Sequence, residues 1–364
     1  MKVLTRQEAI DILYGCTVVG TGGGGSLATG LRMIEKDYDE GKALKLMPLE
    51  EIPDEGLVAS PYGCGATLCE GEEEDPEYKD LPRLNDSSAV LAFKILEEYM
   101  GEKFCAVSST ELGGENTAEA MHIAMSLDRP LADSDPAGRS VPELQHSTFY
   151  LGGIPITPLA CATNFGETVI IKDVVNDLRA EAIVRAIAVA SGNEVGVTDH
   201  PMRGNVFKKS VIKGAISYAM NIGRTLREAN ENGLDAAAAI ADKFGGKLLF
   251  RGTVEETPWE FRDGFTFAEV HLAGCDGFEG EKYEIFIQNE NIYAKRNGEL
   301  DICVPDLICM LDDKGRPVTN PNWTIGQKVS MIGLPASEIW KTPEGRKVFS
   351  TESFKLGFAY KPFL

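Results

Sequence analysis

The sequence predicts an α/β first half, built on a parallel sheet with helices on its faces. A second half follows, of two helices and a small barrel or sandwich. Three observations carry this. Strand and helix patterns alternate as far as Asp133, which implies parallel strands joined by right-handed crossovers. Between Val175 and Ala229 the pattern becomes alanine- and isoleucine-rich and helical. From Lys247 onward the runs are strand-like, cut by turn signals about ten to fifteen residues apart. The chain has 364 residues, and single cores stop growing near ~250–300. Two domains are therefore expected, 1–166 and 167–364, divided at Gly166.

Each element has a local reason. Thr5 and Glu8 form a capping box that opens a helix to about Tyr14, leaving Cys16–Val19 for any strand before the glycine run Gly20–Gly25. A second helical stretch reaches about Gly41. Leu57–Ser60 is a short apolar strand. Ser87–Tyr99 is amphipathic and closes at Gly101, a residue suited to a left-handed cap. Phe104–Ser108 is a strand, Thr117–Leu127 a helix, and Pro130–Ala132 a strand ending at Asp133. Val175–Ala190 reads as a buried helix and Val206–Ala229 as a longer one. Asp263-Gly264, Asn297-Gly298 and Asp313-Lys-Gly315 are turns between runs such as Tyr283–Gln288, Ile292–Arg296 and Leu307–Leu311.

Composition narrows the function. Asp and Glu number 56 against 36 Lys and Arg, a formal charge of −20. Such a surface repels phosphate backbones and anionic lipid, so nucleic acid and membranes are not expected partners. No window approaches the ~18–20 apolar residues that cross a bilayer. Met1–Asp11 lacks an apolar signal core, so the expected compartment is the cytoplasm. The 8 cysteines are scattered without CxxC spacing and read as small buried hydrophobes. With only 4 histidines, any metal site would lean on carboxylates.

Topology then points to a place. If Leu57–Ser60, Phe104–Ser108 and Pro130–Ala132 are parallel, their carboxyl ends share one edge, and ligands of open α/β sheets bind outside that edge. Three polar, glycine-rich loops converge there: Pro61–Gly65, Ser109–Asn116, and Asp133–Arg139 followed by Pro142–His146. Gly, Asp, Ser and Pro form turns in any protein. These loops, however, also carry Glu111, Asp133, Asp135, Arg139, Glu143 and His146. Glu115 and Asn116 serve equally well as helix-opening residues. The acidic run Glu70–Asp80 reads as a solvated loop or a lid. The Gly20–Gly25 run invites a dinucleotide reading, but it lacks a clear preceding strand and the acid about twenty residues on. An anion-holding nest, or a tight turn against another loop, fits it better. No GxSxG, HExxH or Walker motif occurs.

At these residues the chain resembles a known family. Gly20–Gly25, Glu111-Leu-Gly-Gly-Glu-Asn116 and Asp133–Pro158 are similar to the DUF917 family, which includes the S-methyl thiohydantoin desulfurases and is often encoded beside hydantoin-utilisation enzymes. The densest stretches are Asp135-Pro-Ala-Gly-Arg-Ser-Val-Pro-Glu-Leu-Gln145 and Gly153-Ile-Pro-Ile-Thr-Pro158. Pro201–Gly204, Ser217–Arg224, Gln288-Asn-Glu-Asn291 and Pro305-Asp-Leu307 extend the resemblance over nearly the whole chain. It implies a three-layer α/β N-terminal domain with a mainly parallel sheet, and a C-terminal part with helices and a small β-barrel. It also implies a hydrolase for a small cyclic hydantoin or thiohydantoin, in which water replaces a sulfur substituent and leaves a hydantoin and a small thiol. Two features depart from the family: His146 stands where a less polar residue is expected, and the loop Pro61–Lys79 is unusually acidic.

Roles follow as expectations. Asp135 is the general base or a metal ligand, with Asp133, Glu143 and Glu111 as its carboxylate partners. Gly23, Gly24, Gly113, Gly114, Asn116, Arg139, Gln145 and His146 line the substrate. Arg139 and the amides of Gly113 and Gly114 hold an anionic ring or carboxylate. A divalent ion, zinc or similar, would draw on Asp133, Asp135, Glu143 or His146. Expected partners are the small-molecule substrate, further copies of the chain in a homo-oligomer, and hydantoinase subunits. Two other classes stay open. One is a non-catalytic accessory or regulatory subunit of an ATP-dependent hydantoinase; the other is a dinucleotide-binding enzyme using Gly20–Gly25.

Overall fold

The computed structural model describes residues 1–65, 78–262 and 265–364. The expected turn Asp263-Gly264, Cys69 and most of the acidic run from Glu70 lie outside the described residues. Strands β1 (Lys2–Val3), β2 (Lys45–Met47), β3 (Leu57–Gly65), β4 (Phe104–Val107), β5 (Leu131–Ala132), β6 (Ser134–Asp135), β7 (Leu159–Ala162), β8 (Thr168–Ile171), β9 (Glu194–Arg203) and β10 (Ile212–Lys213) come first. Between and after them run helices α1 (Arg6–Val19), α2 (Leu27–Asp39), α3 (Ser88–Met100), α4 (Asn116–Ser126), α5 (Thr148–Leu151), α6 (Asp177–Val189), α7 (Gly204–Phe207), α8 (Ala215–Glu231) and α9 (Ala236–Lys243).

The first sheet has the order β1-β2-β5-β4-β3-β9-β7-β8. The strands at Phe104 and Leu131 are parallel neighbours as expected, with Val107 facing Leu131. The parallel set stops at β2, β5, β4 and β3. The sheet is mixed rather than mainly parallel, because β9 lies antiparallel to β3 along its whole length and the β7–β8 hairpin joins β9 antiparallel. Gly166 supplies that hairpin's turn, at φ 95° with its amide on the Thr163 carbonyl. Chain beyond it returns into the middle of the same sheet. Apolar residues alternate along β3, so Leu57 and Ala59 face the core under α3 and α4, while Tyr62 and Cys64 face α6.

The ends of the elements follow their local chemistry. Both hydrogen bonds of the Thr5–Glu8 capping box are present, and α1 continues past Tyr14 to Val19. No strand therefore precedes the glycine run, which removes the setting of a dinucleotide fingerprint. The helix expected over Val206–Ala229 is broken into α7 and α8. Ile212 pairs with Asp135 of β6 between them, and Gly214 turns left-handed at φ 73°.

The C-terminal part is an antiparallel sheet curled as a half-barrel, β16-β15-β14-β13-β11-β18-β17, with β12 on β13. Its strands are β11 (Lys247–Glu256), β12 (Trp259–Arg262), β13 (Phe265–Gly274), β14 (Lys282–Gln288), β15 (Glu290–Arg296), β16 (Glu299–Cys303), β17 (Leu307–Asp312) and β18 (Lys328–Leu334), followed by α10 (Glu338–Lys341) and α11 (Pro343–Val348). Asn297 and Gly298 both adopt positive φ, as the hairpin reading requires. One hydrophobic core joins the two sheets. Ile12, Leu13 and Cys16 of α1 and Ile216 and Ile222 of α8 pack with Phe104 and Leu131 of the first sheet and with Leu307, Cys309 and Ile332 of the half-barrel.

That core depends on how closely α1 and α8 cross. A Cβ added to Gly15 would stand 1.7 Å from the Ala219 carbonyl oxygen, and one on Gly223 would stand 1.8 Å from that of Asp11. Gly15→Ala and Gly223→Ala should therefore destabilise by about 1–3 kcal/mol or more through overpacking, although alanine is the better helix former. Urea unfolding midpoints test this; an unchanged or raised midpoint would show that the helices do not need the close approach.

Candidate functional site

Four loops meet at the carboxyl edge of β3, β4 and β5, and they bury charge. Glu111 follows β4, and Asp135 ends β6, with Arg139 and Ser140 just after it. Glu290 opens β15. Asn289, left-handed at φ 57°, reverses the chain there and turns Glu290 inward. Thr21–Gly25 links α1 and α2.

The carboxylates are linked. Glu111 accepts hydrogen bonds from Asn116 Nδ2 at 2.7 Å, the Val141 amide at 2.8 Å and Ser140 Oγ at 2.9 Å. Ser140 Oγ also lies 2.9 Å from Glu290 Oε1. A hydroxyl has one hydrogen, so Ser140 cannot donate to both. One of the two carboxyls is therefore the donor in its contact, and Glu290, raised above neutrality, is the one that holds the proton. Burial raises Glu290 to about 8, and the nearby Glu111 charge pushes the same way. Glu111 is raised as well, by burial, with its three hydrogen bonds and the Arg139 charge opposing. Asp135 Oδ1 accepts the amides of Ala137 at 2.8 Å and Gly138 at 2.5 Å, while its Oδ2 is buried without a partner. Burial raises Asp135 to about 7, with the two amides and the Ser109 hydroxyl opposing it and Glu111 adding to the effect. Glu111 is thus the shared electrostatic neighbour of the other two acids.

Arg139 is fully buried and directed into protein. Its Nε donates to the Ser140 carbonyl and its Nη1 to those of Pro305 and Asp306. Its Nη2 donates to Thr21 Oγ1 at 2.6 Å and to the Asn291 carbonyl at 3.5 Å. All five guanidinium hydrogens have protein acceptors, so Arg139 joins the halves of the chain rather than presenting donors to a ring. Its charge also pushes His146 down, after burial, to about 3. His146 is a neutral ring packed on Phe349 and Phe354.

Other expected residues lie elsewhere. Asp133 accepts the amide of Ser217 at 2.9 Å and its hydroxyl at 2.6 Å, satisfying the first turn of α8. Glu143 is bonded by the Gln145 amide, beside Glu181. Asp133, Asp135, Glu143 and His146 do not gather. Among the described residues no three His, Cys, Asp or Glu side chains form a metal-binding group. The donor set expected for a divalent ion does not fit one. The glycines are places of close approach. A Cβ on Gly24 would meet Gly113 Cα at 2.3 Å, one on Gly114 would meet Leu27 Cα at 2.8 Å, and one on Gly23 would meet Glu290 Oε1 at 1.9 Å. The Gly23 amide is bonded to Gly20 O, inside its own turn.

Residues 7–173 match the S-Me-THD-like N-terminal domain, and residues 175–363 match the S-Me-THD-like C-terminal domain. The chain belongs to the S-Me-THD-like family. A crystal structure of a protein from Chromobacterium violaceum, a structural genomics target, is 22% identical and superposes with a TM-score of 0.78 over 100% of both chains. That likeness concerns the fold. Among curated proteins, none matches this chain. In this S-Me-THD-like site, sequence reasoning missed Glu290, Ser140, Thr21 and Asn291. The one signal for Glu290 is the polar Gln288-Asn-Glu-Asn291 interrupting two apolar strands.

The raised carboxyls set a pH dependence. A group with a folded pKa above its unfolded one binds protons more tightly when native. For Glu290 the resulting stability is complete below its ordinary value of 4.5 and is lost as pH rises through about 8. Glu290→Gln is neutral throughout, so its unfolding midpoint should fall less than wild type between pH of about 5 and 9. Parallel curves for the two proteins would mean that Glu290 is already ionised in the native state.

Proposed function

We propose that this S-Me-THD-like chain is a hydrolase for a small cyclic hydantoin-type substrate carrying a sulfur substituent. Water oxygen bonds to the ring carbon that holds sulfur, the carbon–sulfur bond breaks, and of the two protons of water one ends on the departing thiolate and the other on the ring nitrogen. A hydantoin and a small thiol remain. Such a carbon is a poor electrophile, so the reaction needs a base for water and a proton for the ring or the sulfur.

The observation that carries this reading is Asp135. One of its oxygens is fixed by two amides, the other is buried with only the Ser109 hydroxyl near it, and its pKa stands at about 7. A general base works best when its pKa lies near the working pH. Glu290 supports the reading as the acid: it is protonated near neutrality, and its Oε2 has no partner. Ser140 and Glu111 form the path by which that proton is replaced. Two acids whose environments separate their roles suit acid–base hydrolysis.

The test is thiol release from an S-methyl thiohydantoin ring by the purified chain, followed with a thiol-reactive dye. Asp135→Asn should lower turnover roughly 10²–10⁴-fold, the usual scale for a positioned base, while ring binding and the circular dichroism spectrum persist. Near-wild-type turnover in Asp135→Asn would remove the base assignment. Ring binding by the wild type without thiol release would instead make the chain an accessory subunit.

A further inference from the structure

The two amides that hold Asp135 Oδ1 belong to successive peptides, and each peptide is held from its other side. The N–H of Ala137 shares a peptide plane with the Pro136 carbonyl, and the N–H of Gly138 shares one with the Ala137 carbonyl. The Pro136 carbonyl accepts the Thr148 amide at 2.7 Å. Thr148 opens α5, where a helix has amides without intrahelical partners. The Ala137 carbonyl accepts the indole Nε1–H of Trp340 at 2.8 Å, from α10 and 203 residues further on. Gly138 is left-handed at φ 73°, so the chain turns away directly after the second amide.

An indole N–H only donates, and a buried one requires an acceptor. Trp340 is 1% exposed and packs edge-on against Phe349, with ring centroids 5.8 Å apart. The acceptor it takes lies immediately behind the Gly138 amide. Hydrogen bonds in series polarise one another, so a donor on a peptide oxygen makes the N–H of that peptide a stronger donor. A stronger donor on a carboxylate favours its charged form. Asp135 depends on such donors. Glu111 after β4 raises its proton affinity, and burial keeps the Cys16 thiol of α1 protonated, at about 12. Across β10 the apolar Ile212 stands opposite Asp135, while Lys213 beside it pairs with Glu50 at the surface. What opposes burial is the pair of amides and the Ser109 hydroxyl.

We propose that Trp340 is a positioning residue for Asp135, holding the Ala137–Gly138 peptide in place and strengthening its N–H toward Oδ1. The C-terminal part of the chain thereby adjusts a carboxylate at the edge of the first sheet. The Pro136 carbonyl has a backbone donor, so Trp340 is the side chain through which this relay can be altered. The consequence for turnover rests on the ring-hydrolysis reading; the grip on the carboxyl does not.

The experiment follows the Asp135 carboxyl carbon by NMR across pH in the purified full chain, with the indole N–H signals recorded alongside. In the wild type the Trp340 indole signal should titrate with the Asp135 midpoint, while that of Trp259, exposed on β12, does not follow it. In Trp340→Phe the midpoint should rise by roughly half a pH unit. Turnover of an S-methyl thiohydantoin ring should then fall about 3-fold at pH well below the midpoint, recover at alkaline pH and leave KM unchanged. A purely structural loss would lower it equally at every pH. An unmoved Asp135 midpoint in folded Trp340→Phe, or a wild-type Trp340 signal that ignores Asp135, would overturn the relay. The wild-type signal needs no variant, so it decides should Trp340→Phe fail to fold. A shifted midpoint without thiol release from the wild type would instead remove the hydrolysis reading and keep the relay.

Discussion

The structure depends on one buried guanidinium. Arg139 comes from the loop after β6, yet its acceptors belong to Thr21 near the N-terminus and to Asn291, Pro305 and Asp306 in the half-barrel. A buried cation is tolerated only when its donors are satisfied and its charge is answered. Here the planar fork meets fixed carbonyls, Phe349 lies under it at 4.9 Å, and Asp306 and Glu111 supply negative potential. No local stretch of chain offers that set. The halves must meet for Arg139 to be stable, and Arg139 holds them where they meet.

The acids beside it follow from that constraint. Glu290 enters from the half-barrel and Glu111 from the first sheet, and Ser140 holds both because it follows Arg139 directly. Water has been excluded from all three carboxyls, so their proton affinities rise together. The glycine run lets this happen. At Gly23 the backbone passes so near the Glu290 carboxyl that a side chain would occupy its place. The run is a spacer between loops, consistent with the helix that leads directly into it.

Legibility in the sequence depended on distance along the chain. The Thr5–Glu8 box, the Ser87 cap with Gly101, and the Asn297-Gly298 turn were readable because each signal sits within a few residues of its effect. Glu111 and Asp135 were readable once three strands were taken as parallel. Asp133 was not separable from Asp135, because its partner, Ser217, lies 84 residues away. Glu290 pairs with Ser140 across 150 residues, and no local pattern points from a barrel strand to a sheet edge. The antiparallel insertion of β9 was hidden for the same reason: alternation shows which faces of a strand are buried, not which neighbour it joins. His146 owes its neutral state to Phe349, Phe354 and Arg139, all brought to it by tertiary structure.

The seating of the glycine loop has a consequence for biogenesis. The carbonyls of Thr21 and Gly22 accept the amides of Asn291 and Asn320, both at 2.8 Å. The ribosome makes the first pair of residues roughly 300 positions before the last of their partners. At about 5–20 residues per second, that leaves the loop without its seat for on the order of 15–60 s. During that interval α1 has no half-barrel to rest on, and Glu111 remains open to water. The acidic centre therefore cannot close before the half-barrel strand that carries Glu290 has left the exit tunnel. A chain interrupted before Glu290 would carry the whole first sheet and lack the half-barrel's share of the site.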